Sequence, residues 1–153
     1  MNNEQIKSLI SELLGKMDIS FQSIEVRQDD ITQRVVFAIK TNESGLLIGD
    51  RGETFFALSH LIKRIALKGT EGDDSKVFSV DINDYQSSIV ERLKNKALIL
   101  ANRARDLKSN IEMEPMSSYE RLVVHDLLGS QSGIKTESTG EGKNRRVVIK
   151  YVE

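Results

Sequence analysis

The chain has 153 residues, which is enough for one ordinary domain or for two small ones. It contains no cysteine, which excludes disulfides and thiolate metal sites. It has neither a signal-peptide pattern nor an apolar run long enough to span a membrane, so we expect no membrane insertion and a cytoplasmic location. The 22 lysine and arginine residues nearly balance the 23 aspartate and glutamate residues, which excludes a protein that coats nucleic acid by charge alone. The two halves differ, since residues 1–83 carry 10 basic and 13 acidic side chains and residues 84–153 carry 12 basic and 10 acidic ones.

Apolar residues in the first half of the chain alternate between helical and strand periods. The predicted helices lie at about 3–17, 44–48 and 53–68, and the predicted strands lie around 24–26, 35–39 and 78–82. Gly69 is placed to stop the third helix, and residues 70–75 are polar enough for a loop. The order helix, strand, strand, helix, helix, strand predicts a three-stranded sheet covered on one face by helices, which makes a compact α+β domain of residues 1–83.

The second half predicts a smaller domain of the same class over residues 84–153. Asn83 and Asp84 are suitable N-cap residues for a long helix, whose apolar face includes Leu107. Ser117 and Glu120 form a capping box for a helix of about eleven residues. Short strands are expected at 111–113, 134–136 and 145–152, with a hairpin turn at 140–144. We therefore expect two helices and a small sheet.

A Gly-x-x-Gly turn joins the two helices of the first half. Gly49 and Gly52 flank Asp50 and Arg51, and glycine lets a backbone come close to a ligand because no Cβ intervenes. The amides that open the next helix favour anions. Together these features are typical of a KH-type loop, which clamps a short stretch of nucleic-acid backbone. The alternative is an ordinary helix–turn–helix corner.

The charges around this turn are mixed. Asp50 places a carboxylate where a phosphate would approach, and two unit charges about 6 Å apart repel by at most about 3 kcal/mol at an effective dielectric near 20. Arg51 offsets this repulsion. Lys63 and Arg64, on the following helix, either flank the same groove or belong to a solvated face.

A second basic motif lies near the C-terminus. Arg121 and His125 are four residues apart on the helix after the capping box, so they share a face. Lys143, Arg145 and Arg146 begin the last strand. If that strand packs beside the helix, these side chains form a cationic site suited to a phosphate or a single-stranded backbone. The alternative is that Arg121 and His125 are a structural pair.

The run Arg121-Leu122-Val123-Val124-His125 is the Arg-x-x-x-His signature of the R-three-H domain. With residues 114–121 and 144–149, and with the segment from Leu47 through the Gly-x-x-Gly turn to Thr54, the chain resembles the bacterial Jag (SpoIIIJ-associated) family. This resemblance implies a prokaryotic-type (type II) KH domain followed by an R-three-H domain. It also implies a cytoplasmic RNA-binding protein linked to cell elongation, division or sporulation, often together with a small single-KH protein. Longer members of the family have an additional N-terminal domain.

The sequence gives little support for an enzyme or a cofactor site. His125 is the one histidine near the second motif, and no carboxylate cluster or metal-ligand spacing accompanies it. Phe55, Phe56, Phe78 and Tyr85 are predicted to belong to the core. Tyr119 and Tyr151 are the better candidates for stacking on a base.

Two functions remain open from the sequence. The first is a regulator that binds single-stranded RNA, or alternatively single-stranded DNA, through both motifs. The second is a protein-interaction adaptor that pairs through its KH domain with itself or with a separate KH protein. Asp50 and the acidic first half favour the adaptor.

Overall fold

The computed structural model describes residues 1–68 and 78–153. Within them the chain forms five α-helices and two three-stranded sheets, which confirms the predicted α+β class. The predicted helix stop at Gly69 and the predicted loop at 70–75 lie outside the described residues. The chain divides into two compact units, Met1–Gln86 and Ser87–Glu153. Their identification as KH and R-three-H domains that meet between residues 83 and 84 stays a prediction.

The elements follow the predicted order closely. Those of the first unit are α1 (Asn3–Lys16), β1 (Ser23–Gln28), β2 (Val35–Lys40), α2 (Ser44–Ile48), α3 (Glu53–Ala66) and β3 (Phe78–Ile82). The second unit contains β4 (Ile111–Glu112), α5 (Ser118–Leu128), β5 (Ile134–Thr139) and β6 (Arg146–Tyr151). Helix α4 (Tyr85–Leu107) begins in the first unit and continues in the second.

The sheet of the first unit has the order β1–β2–β3, and its central strand is buried. Strand β1 pairs antiparallel with β2, and β3 pairs parallel with β2. The connection from β2 to β3 includes α2 and α3, as a parallel pair requires a crossover. Helices α1, α2 and α3 supply the apolar residues that pack on this sheet. Residues with no exposed surface in this core are Ile10, Leu14, Phe37, Ile39, Leu47, Ile62 and Ile82.

An ionic cluster ties the sheet to the start of α4. Arg27 on β1 donates to Asp81 on β3 at 2.6 Å and to Asp84 at 2.9 Å, and Lys40 donates to Asp84 at 2.7 Å. Asp81 is 2% exposed, and its other oxygen accepts from the backbone N–H groups of Ile82 and Gln86. The hydrogen bond from Lys40, and then that from Arg27, hold the pKa of Asp84 below its usual value. The cluster therefore fixes where α4 leaves the sheet.

In the second unit two helices contribute to the core beside an antiparallel sheet of order β4–β6–β5. Val147 and Ile149 of β6 are fully buried in the same core as Ala97, Ala101 and Ala104 of α4. Small side chains let a helix approach its neighbours closely. The expectation that Leu107 belongs to the apolar face of this helix is wrong, because it is 64% exposed. No helix in residues 1–68 or 78–153 is long and apolar enough to cross a membrane.

Candidate nucleic-acid interface

The turn between α2 and α3 has a backbone that glycine favours. We call Gly49–Gly52 the GxxG loop. Gly49 has φ 72° and Gly52 has φ 79°, a region that L side chains adopt only with strain. A Cβ on Gly49 would overlap the side chain of Thr54, and a Cβ on Gly52 would come within 2.6 Å of the Tyr85 hydroxyl. Both positions therefore need glycine for steric as well as conformational reasons.

The two variable residues of the GxxG loop point into solvent. Asp50 and Arg51 are exposed, so one carboxylate and one guanidinium are available at the loop. Lys63 and Arg64, predicted to flank the same groove, lie in the last turn of α3. At 1.5 Å per residue they are about 16 Å along the helix from Gly52. The structure therefore does not bring them to the loop.

Phe56 differs from the other aromatic residues of this unit. Phe55 and Phe78 are buried, as the sequence predicts, and Tyr85 is partly buried against the core. Phe56 is 59% exposed, so the prediction that it belongs to the core is wrong. It lies one position after Phe55 on α3, and the helical turn directs the neighbouring side chain outward when Phe55 faces the sheet.

In the second unit, the first turn of α5 holds Arg121 in place. Ser117 accepts from the backbone N–H of Glu120, and Glu120 accepts in turn from the backbone N–H of Ser117, which confirms the capping box. Arg121 donates to the carbonyl of Met116 at 2.8 Å and to the Ser118 hydroxyl at 3.2 Å. These two hydrogen bonds fix the position of the Arg121 guanidinium beside the start of α5.

Arg121 borders an open cleft of about 720 Å³, which we call the Arg121 cleft. Its cationic lining is Arg121 from α5 with Lys143 and Arg145 from the turn before β6. Glu120 is the one carboxylate among the lining residues, and it is engaged by the capping box. The remaining lining residues are Pro115, Met116, Ser117, Ser118 and Gly142. The cleft therefore combines positive charge with hydroxyl groups and a short apolar wall.

His125 makes a different set of contacts. Its Nδ1 lies 2.6 Å from the Thr136 hydroxyl and its Nε2 lies 2.7 Å from the Ser138 hydroxyl, so both ring nitrogens are occupied by β5. Burial, and then the charge of Arg121, lower the pKa of His125 below its usual 6.5. The ring is therefore mostly neutral at pH 7 and joins α5 to the sheet.

The structure thus brings together only part of the predicted basic site. Arg121, Lys143 and Arg145 surround one cleft, whereas His125 binds β5. Arg146 donates to the carbonyl of Asn144 at 3.1 Å and pairs with Glu112 of β4 at 3.5 Å. The residues that sequence reasoning missed are Thr136, Ser138 and Met116, of which the first two could have been found from their alternation on β5.

Tyr119 and Tyr151, expected as stacking residues, are both partly buried. Neither lines the Arg121 cleft. Among residues 1–68 and 78–153, no group of three or more histidine, aspartate or glutamate side chains is placed to hold a metal ion.

Comparison with known proteins yields consistent similarities. The profile of the R-three-H domain matches residues 91–151. The RNA-binding protein KhpB of Bacillus subtilis (strain 168) is 34% identical over 148 residues, which cover 95% of this chain and 67% of that protein. The RNA-binding protein KhpB of Clostridium symbiosum is 29% identical, covering 82% of this chain and 56% of that protein. The RNA-binding protein KhpB of Streptococcus pneumoniae serotype 2 is 27% identical, and the match covers 96% of this chain and 45% of that protein. The chain therefore spans between about half and two thirds of the length of these relatives.

Proposed function

The chain belongs to the Jag family, and on this basis we propose that it binds single-stranded RNA and acts as a post-transcriptional regulator without catalytic activity. The matching proteins described above are each named RNA-binding protein KhpB. The Arg121 cleft carries this proposal. It lies in the segment that matches the R-three-H domain, and three cationic side chains surround it. Phosphate oxygens are the groups that arginine and lysine bind most readily in nucleic acids. The proposal includes the cytoplasmic site of action that is expected from the sequence.

The GxxG loop is the second binding site of this proposal. Its exposed Arg51 offers a guanidinium to a phosphodiester backbone, and the exposed carboxylate of Asp50 keeps the affinity modest. Each site contacts few phosphates, so each binds weakly alone. Two weak sites on one chain raise overall affinity when a single strand reaches both.

The Arg121 cleft is tested by reversing the charge of Lys143, which is exposed and lines the cleft. Binding of a labelled single-stranded RNA is measured by fluorescence anisotropy at several salt concentrations. We expect Lys143→Glu to weaken binding several-fold and to reduce its salt dependence, because one phosphate contact is lost. The matched control is Lys135→Glu on β5, which is also exposed but lies on the sheet face away from His125. Equal effects of the two variants would contradict a local site.

The GxxG loop is tested with Arg51→Glu against Lys68→Glu, since both residues are exposed and Lys68 lies beyond the far end of α3. We expect only Arg51→Glu to weaken binding, and Asp50→Asn to strengthen it, because that change removes a negative charge near the phosphate. Substitution of Gly52 by aspartate is a poor probe, since its Cβ would meet Tyr85 and disturb the fold. Native affinity in Arg51→Glu would remove the loop from the interface.

One observation favours the adaptor as a second candidate function. Leu61 and Ile65, one turn apart on α3, are 45% and 40% exposed and form an apolar stripe to which a second copy or another KH protein could dock. Light scattering after size exclusion tests this. A dimer that Leu61→Glu converts to a monomer, in a chain that binds no RNA, would favour the adaptor. A monomer that binds RNA would contradict it.

A further inference from the structure

We propose that the exposed ring of Phe56 is a stacking platform for one unpaired nucleobase of a single strand whose backbone lies along the GxxG loop. This role rests on the proposed binding of a single strand. It assigns a contact to the nucleobase, whereas the GxxG loop contacts the backbone. Phe56 is 59% exposed, so most of its ring is accessible to a ligand.

The ring is held beside the loop. It packs edge-to-face on Phe55, with ring centroids 5.3 Å apart and an angle of 73° between the planes. A Cβ on Gly52 would lie 3.4 Å from Cε2 of Phe56, so the edge of the ring overlies the second glycine of the loop. Phe55 is itself buried, and its ring centroid lies 5.4 Å from that of Tyr85 in a second edge-to-face pair, so Phe56 rests on a rigid support. A ring oriented in advance loses little conformational entropy when a base stacks on it.

The position of the ring matches the chemistry of a nucleotide. A nucleotide joins an anionic phosphate to a flat base, and the GxxG loop with Arg51 suits the phosphate. An aromatic face next to that loop suits the base, since every base has a π-face that can stack on an aromatic side chain. Stacking adds affinity without adding charge, which fits a unit whose acidic side chains outnumber its basic ones.

A second copy of the chain explains the exposure of Phe56 less well. On a helix of 3.6 residues per turn, Leu61 and Ile65 lie about 140° and about 180° around the axis from Phe56. A protein docked on that stripe would leave most of the ring uncovered. A single phenylalanine also supplies little of the roughly 1,200 Å² that a specific protein interface needs.

The test uses Phe56→Trp, because the native chain has no tryptophan and the variant therefore carries a single indole at this position. Its fluorescence is recorded while a short oligouridylate or oligoadenylate is added to the full chain. The matched control is Leu46→Trp on α2, which is 65% exposed and precedes the loop. A ribose-phosphate strand without bases is the second control. We expect quenching in Phe56→Trp with base-bearing strands, and little change with the baseless strand or in Leu46→Trp.

Affinity measurements separate stacking from apolar contact. Phe56→Leu keeps an apolar side chain but loses the aromatic face, and we expect it to bind oligouridylate about 5- to 100-fold more weakly. The dependence of binding on salt should be unchanged, because no phosphate contact is lost. Phe56→Tyr should retain native affinity. Thermal unfolding of each variant verifies that the exposed substitution leaves the fold intact.

Three results would overturn the proposal. The first is unchanged indole emission in Phe56→Trp with saturating oligonucleotide, and the second is native affinity of Phe56→Leu. The third is a native dimer that Phe56→Leu dissociates without changing RNA affinity, which would assign the ring to a protein contact. Absence of any binding by the native chain would instead refute the proposed function itself, so the two failures are distinguishable.

Discussion

Gly52 lies directly against Tyr85, since a methyl group added to this glycine would come within 2.6 Å of the tyrosine hydroxyl oxygen. Gly52 also has φ 79°, so its conformation and its surroundings both require the absence of a side chain. Tyr85 is the first residue of α4, and it packs on the core that Phe55 belongs to. The second glycine of the GxxG loop is therefore part of the packing of the first unit as well as a candidate for ligand contact.

We expect Gly52→Ala to lower the free energy of unfolding by at least about 1–2 kcal/mol, because an L side chain in the left-handed region is strained. The contact with Tyr85 adds to this cost. Gly45→Ala in α2 is the matched control, since a Cβ there has no neighbour within 4 Å. Urea denaturation measures both variants. A loss no larger in Gly52→Ala than in Gly45→Ala would contradict the steric argument.

The buried carboxylate of Asp81 leads to a second prediction. Asp81→Asn replaces an acceptor of the Arg27 guanidinium and of two backbone N–H groups, so we expect a loss of about 1–3 kcal/mol in the free energy of unfolding. Asp84 also pairs with Arg27 but is 49% exposed, so Asp84→Asn should cost less than about 1 kcal/mol. Equal losses in the two variants, measured by urea denaturation, would show that burial does not set the strength of this cluster.

His125 gives a prediction about pH. Its pKa in the folded chain lies below the usual 6.5, so between the two values the unfolded chain binds more protons than the folded one. The contribution of His125 to the free energy of unfolding is therefore fully present above about pH 6.5. It is lost as the pH falls through the lower pKa that His125 has in the folded chain. We expect the unfolding temperature to decrease on acidification from about pH 7.5 to about pH 5, and to decrease less in His125→Gln.

Thr136→Val serves as the companion of that variant. It removes the hydroxyl at Nδ1 while the ring stays buried, so we expect lower stability with the pH dependence retained. If His125→Gln showed the same loss on acidification as the native chain, the effect would have to come from other groups.

The sequence predicts the elements well because apolar spacing determines them locally. Helix α2 is predicted at 44–48 and is found at Ser44–Ile48, and strands β2 and β3 are found where the sequence predicts them. The burial of β2 does not follow the predicted alternation, because residues 36–39 of this central strand are all buried. Contacts between elements are harder to predict. The exposure of Phe56 depends on which neighbouring phenylalanine faces the sheet, and two adjacent apolar residues on a helix do not settle this.

The same reason explains the partial success at the candidate site. Helical spacing places Arg121 and His125 on one side of α5, but the partners of each depend on the register of β5 and β6. Thr136 and Ser138 lie on the sheet face that meets His125, so the histidine binds the sheet. Arg121 instead reaches back to Met116 and borders the cleft. Tertiary contact, rather than spacing along the helix, separates the two residues.

The adjacent pair Arg145 and Arg146 provides the sharpest functional prediction. The sequence places both in one basic run, but Arg145 lines the Arg121 cleft and Arg146 pairs with Glu112. If the cleft binds RNA, Arg145→Gln should weaken binding several-fold. It should also reduce the slope of log affinity against log salt by about 0.7, the value for one phosphate contact on a single strand.

Arg146→Gln is the matched control, because it makes the same substitution one residue away. We expect its affinity and salt slope to stay near native, since its guanidinium is engaged by Glu112 and by the carbonyl of Asn144. Arg145 also donates to the carbonyl of Gly140 at 2.9 Å, so the unfolding temperature of each variant must be measured beside its affinity. A greater loss of affinity in Arg146→Gln, with both variants folded, would move the binding surface from the cleft to the β4 side of the sheet.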